Sequence, residues 1–102
     1  MFGPNALGHW SGIKAPNAGG GYRFLKVGEK YRVVRPFTDH DGDLHQEGES
    51  WTFLGYAFLP YDDGLSLFVS LDGAGEWHIP MQCRPEEQGG VVDEFDDYVQ
   101  SV

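Results

Sequence analysis

The sequence contains one cysteine, Cys83, so it can form no internal disulfide and no cysteine-based zinc site. A chain with no disulfide framework fits a reducing compartment, and the expected location is the cytoplasm. Basic residues are also few: 7 Lys and Arg stand against 16 Asp and Glu, a net charge of −9. That balance argues against a binder of phosphate backbones, where counterion release by Lys and Arg supplies most of the affinity, so no nucleic-acid partner is expected. It is compatible with a basic protein partner, and an acidic surface also keeps a small protein soluble. No segment approaches the roughly 18 consecutive apolar residues that span a bilayer. Residues 1–20 lack the charged start and apolar run of a secretory signal, and no membrane role is expected.

What the chain does have is glycine and aromatic rings. Its 102 residues include 15 Gly, and aromatics make up 15%. One domain of this length buries enough surface for a single core. Many turns together with many flat side chains favour a compact β domain over a helical bundle. Residues 1–21 show neither the helical nor the strand period, and they are expected to form a flexible Gly-rich arm outside a domain spanning 22–102. Tyr31, Val33, Arg35 and Phe37 alternate as a strand that Pro36 should end. Asp41-Gly42 favours a reversal. Trp51 and Phe53 share one face of the next strand, Gly55 permits a bend, and Tyr56 and Phe58 continue beyond it. Asp62-Asp63-Gly64 reverses the chain, and Leu65, Leu67, Val69 and Leu71 alternate on the return. Trp77, Ile79, Met81 and Cys83 form a closing strand that Pro80 demotes to an edge. In the tail, Val91 or Val92, Phe95, Tyr98 or Val99, and Val102 recur at helical spacing, with Asp93 and Glu94 in the expected first turn. The expected fold is mainly β: a small antiparallel SH3-like barrel of about five strands with a short C-terminal helix. Its predicted core includes Trp51, Phe53, Leu67, Val69 and Ile79.

Three segments carry a longer pattern: Gly48-Glu49-x-Trp51-x-Phe53-Leu54-Gly55, Phe58-x-Pro60-Tyr61-Asp62-Asp63-Gly64-Leu65-x-Leu67-Phe68, and Arg84-Pro85-Glu86-x-Gln88. With these motifs the chain resembles a bacterial domain-of-unknown-function family, number 3601, over roughly Leu25 to Val99. The resemblance implies no activity, cofactor or catalytic residue. Pro80 departs from the family pattern, in which the closing strand carries a basic and an apolar residue.

Candidate chemistry is sparse. Asp39, Asp41, Asp43 and His45 lie in one polar loop ending at Glu47, the residue types of a divalent-metal site. The EF-hand pattern needs Gly at its sixth position, which counted from Asp39 is Leu44. Asp62 and Asp63 are adjacent in a tight turn and point apart, which disfavours a catalytic carboxylate pair. Neither Ser66 nor Ser70 stands in a nucleophile-elbow setting. The aromatics offer more. Tyr56, Tyr61 and Trp51 beside Asp62 and Asp63 compose a candidate binding surface for a basic peptide or loop. The favoured reading is therefore a non-catalytic protein-binding or accessory module without a cofactor, able to self-associate weakly through edge strands. An acidic inhibitor or immunity-type protein covering a basic site is the first alternative. A metal-assisted enzyme using loop 39–47 is the second.

Overall fold

A computed structural model describes residues 1–9, 11, 18–19, 22–59, 64–83 and 89–102. The described elements are β1 (Phe2–Ala6), β2 (Ala18–Gly19), β3 (Lys30–Val33), β4 (Phe37–Thr38), β5 (Leu44–His45), β6 (Ser50–Leu59), β7 (Gly64–Ser70), β8 (Gly75–Gln82), α1 (Gly89–Asp93), α2 (Phe95–Tyr98) and β9 (Val99–Ser101). The fold is mainly β and antiparallel. Its principal sheet runs β1-β8-β7-β6-β3-β9, with β2 also paired to β6 and β4–β5 forming a separate hairpin. Among the described residues this sheet is an open path, with β1 and β9 at its ends. No helix among them is long and apolar enough to cross a membrane.

The meander of β6, β7 and β8 forms the centre of the sheet, and its register shows why the aromatic pattern works. Phe53 pairs with Val69, but the next pair is Gly55 with Phe68, so β6 advances two residues against one. Leu54 is the extra residue of a β-bulge, which bends the strand and shifts the alternation by one. Trp51 and Phe53 before the bulge, and Tyr56 and Phe58 after it, can therefore all serve one core. Cross-strand partners share a face. The rows Phe53–Val69–Trp77, Tyr56–Leu67–Ile79 and Phe58–Leu65–Met81 accordingly line that side. Trp51, Phe53, Leu67, Val69 and Ile79 are all buried, with Leu25, Val33, Val92, Phe95 and Val99 closing over them.

Three sequence expectations change here. The opening residues are not a free arm throughout, because β1 pairs with β8 through Phe2↔His78, Asn5↔Glu76 and Ala6↔Gly75. All five β1 residues are exposed, so the main chain chiefly holds this strand and no burial pattern marks it. The tail is not one helix. Two helical turns end at Tyr98, and β9 then pairs with β3 through Val33↔Val99, Arg32↔Gln100 and Tyr31↔Ser101. Asp93 therefore ends α1 and Glu94 lies between the two turns, rather than both occupying a first turn. Pro80 sits mid-way along β8, just past the point where pairing with β1 stops. There the His40 N–H bonds to the Pro80 carbonyl at 2.8 Å, so the β4–β5 hairpin takes over the same outer edge.

Candidate functional site

The placement of β1 and the β4–β5 hairpin along one edge of β8 brings together residues far apart in sequence. Within the hairpin, Asp39 organises the turn. Its Oδ1 accepts the backbone N–H groups of Asp41 (2.9 Å) and Asp43 (3.1 Å), while Gly42 takes a positive φ of 89° that side-chain-bearing residues rarely adopt. Its Oδ2 lies 2.7 Å from Nε2 of His45, whose Nδ1 lies 2.6 Å from Oε2 of Glu49. Asp39 and His45 are each 1% exposed, and the His45 ring stacks on Phe37 at 4.8 Å.

A neutral imidazole has one N–H and one lone pair, so it can donate to only one carboxylate. With a carboxylate on each nitrogen, His45 satisfies both only as an imidazolium. Burial pulls its pKa down, but the hydrogen bonds and charges of Glu49 and Asp39 outweigh burial and hold it above the ordinary 6.5. Burial likewise pushes the Asp39 pKa up, yet His45, the Asp43 amide and the Met1 ammonium bring it below 3.8.

The Met1 ammonium completes the cluster. It lies 2.5 Å from Asp43, 3.2 Å from Asp39 and 3.3 Å from Asp41. Burial opposes its charge, but Asp43, Asp39 and Asp41 prevail and raise its pKa above 8.0. The acidic turn thus closes on a nitrogen cation. Metal ligation by His45 would need a ring lone pair, which the imidazolium form lacks. No group of three or more His, Cys, Asp or Glu residues among those described is placed to hold a metal ion. Asp39, Asp41, Asp43 and His45, the metal candidates read from the sequence, here form a charge-paired brace and an acidic turn that meets the Met1 ammonium.

Further along β8, Nε2 of His78 lies 2.7 Å from Oγ of Ser66, and the ring rests between Phe2 and Phe68 at 5.6 and 5.5 Å. Burial, followed by repulsion from the Met1 ammonium, lowers the His78 pKa below 6.5 and favours the neutral ring. At the other end of β1, Glu76 is fully buried and accepts Gly8 N (2.9 Å), Ser11 N (2.8 Å) and Ser11 Oγ (2.6 Å).

Of the aromatic surface read from the sequence, Trp51 and Tyr56 fall among the described residues. Trp51 is fully buried in the core, where its indole N–H has no hydrogen-bond partner. Tyr56 is half-buried, its ring 5.0 Å from that of Tyr22. Tyr61, Asp62 and Asp63 lie outside the described residues. Glu49, Met1, Glu76 and the Ser66–His78 pair were not singled out from the sequence. Only Glu49 carried a local signal, four residues after His45, and the others meet through strand pairing.

The sequence matches the family described as a domain of unknown function, DUF3601, over residues 19–102. The chain belongs to the DUF3601 family. Its fold is similar to that of the integron cassette protein VCH_CASS4 from the mobile metagenome of Vibrio cholerae. The TM-score is 0.78 at 37% identity, covering 82% of this chain and 92% of that one. No curated protein matches this sequence. The DUF3601 region contains β8, Glu76 and the whole acidic turn, whereas β1 and the Met1 ammonium precede it.

Proposed function

We propose that this DUF3601 protein is a non-catalytic binding module that engages a basic protein partner through its acidic turn. The observation that carries the reading is the convergence of Asp39, Asp41 and Asp43 on one ammonium group above a buried brace. Asp41 and Asp43 remain partly exposed, with side chains 38% and 54% accessible. Their backbone is fixed by Asp39, so little conformational freedom is lost when a cation docks. The net charge of −9 extends the same field over the rest of the surface and would steer a basic partner toward it. We also read the sheet as a small SH3-like barrel, which the bulge in β6 and the β6–β7–β8 meander support. We take the protein to be cytoplasmic, because a lone cysteine fits a reducing compartment.

The test is affinity capture from the native host with wild type and an Asp41→Lys/Asp43→Lys variant, each at low and high salt. A basic protein retained by wild type, lost with the variant and released by salt is the expected result. Equal retention by both, with both folded, would remove the acidic turn as the binding surface.

A further inference from the structure

The outer edge of β8 pairs with an extended segment that precedes the DUF3601 region. The five residues of β1 are exposed, so it is held chiefly through main chain and ends. At its leading end the Met1 ammonium meets Asp39, Asp41 and Asp43. At its trailing end, buried Glu76 takes two backbone N–H groups and a hydroxyl. Between them is a steric gauge. A Cβ at Gly3 would come within 2.7 Å of the Glu76 carbonyl oxygen and 3.1 Å of the Trp77 ring, at a φ of +139°. A Cβ at Gly75 of β8 would in turn strike Pro4 at 2.8 Å. The edge therefore specifies a strand direction, a cation at the start and a glycine two residues later. Strand addition to a sheet edge, with capture of an amine, is a recurring mode of peptide recognition.

We propose that the β8 edge is a peptide-binding groove for an extended partner segment with a leading cationic group and a glycine two positions on, and that residues 1–8 occupy it as an intramolecular stand-in. This builds on the binding-module reading but moves the principal contact from the acidic turn alone to the whole edge of β8. A tethered segment competes at an effective concentration on the order of mM, so the groove is masked until that segment is displaced.

The test uses the full chain carrying Gly3→Val, which should expel β1, together with a labelled synthetic peptide of residues 1–11 added in trans. Saturable binding to Gly3→Val, at least about ten-fold tighter than to wild type, is the expected result. Nα-acetylation of the peptide should weaken capture by about ten-fold, the size of one charge-assisted contact. No binding to a folded Gly3→Val protein would overturn the proposal, and so would equal binding to wild type. Loss of cooperative unfolding in Gly3→Val would make β1 an integral strand and overturn it equally. Equal capture of the acetylated peptide would overturn the assignment of the leading cation to the acidic turn. A failed peptide assay alongside salt-sensitive capture that depends on Asp41 and Asp43 would reject the groove and leave the binding-module reading standing.

Discussion

Replacing His45 with Leu removes the cation that separates two carboxylates. Asp39, whose side chain has no exposure, would then face Glu49 across an apolar side chain. Glu49, 25% exposed, can turn to solvent, whereas Asp39 cannot. Breaking a buried charge pair by deleting one partner costs about 3–5 kcal/mol. Asp39 keeps its bonds from the Asp41 and Asp43 amides and the Met1 ammonium at 3.2 Å, so we take the low end of that range, about 3 kcal/mol. In a domain of this size that is a fall of roughly 12–24 °C in melting temperature. Asp39→Asn in the same background removes the stranded charge and should restore about 1 kcal/mol or more relative to simple additivity. The pH dependence has two arms. The folded His45 pKa lies above 6.5, so its contribution is complete below that value and is lost as pH rises through the raised pKa. The folded Asp39 pKa lies below 3.8, so its contribution is complete above that value and is lost as pH falls through the lowered pKa. Stability from this cluster should therefore be level between about 4 and 6.5 and decline on both sides. Thermal melts across that range and ring-nitrogen chemical shifts of His45 provide the assay. A single-tautomer neutral imidazole at pH 6, or a His45→Leu melt within about 2 °C of wild type, would refute the brace.

The core makes a second prediction: Leu67, which pairs with both Tyr56 and Ile79, should cost about 2–5 kcal/mol on truncation to Ala, read by denaturant unfolding. Glu76→Gln should weaken the charge-assisted bonds to Gly8 and Ser11, a loss of about 1.5–3 kcal/mol. Hydrogen exchange should then quicken at the amides of Gly8 and Ser11 while those of Phe53 and Val69 keep their protection.

The central meander was legible because its signal is local. Leu65, Leu67 and Val69 alternate along β7, and Gly55 coincides with the point where β6 must gain a residue to keep Tyr56 and Phe58 on the core side. The two ends were not legible, for different reasons. In the tail, Val92, Phe95 and Val99 fall at helical spacing and all three are buried, but Val99 reaches the core from a strand. The edge of β3 is free to pair there, and a period read along the chain cannot register a partner more than sixty residues away. At the start, Phe2–Ala6 becomes a strand with no side chain buried, so it lacks the alternation by which strands are recognised. Its stability comes from the edge it joins.

The acidic turn shows how one residue set supports opposite chemistries until its neighbours are fixed. Aspartates interleaved with a histidine are equally the raw material of a metal loop, a solvated reversal and a charge-paired brace. What separates them is how many carboxylates reach the imidazole. Asp39 alone would leave one nitrogen of His45 with a lone pair and keep metal ligation open. Glu49, placed at the mouth of β6, takes the second nitrogen and makes the ring a cation. That cation holds Asp39 ionised in the interior, and the other Asp39 oxygen is then free to fix the amides of Asp41 and Asp43. A solvated turn would leave those two carboxylates to point independently. The brace fixes their backbone, and all three carboxylates meet one ammonium.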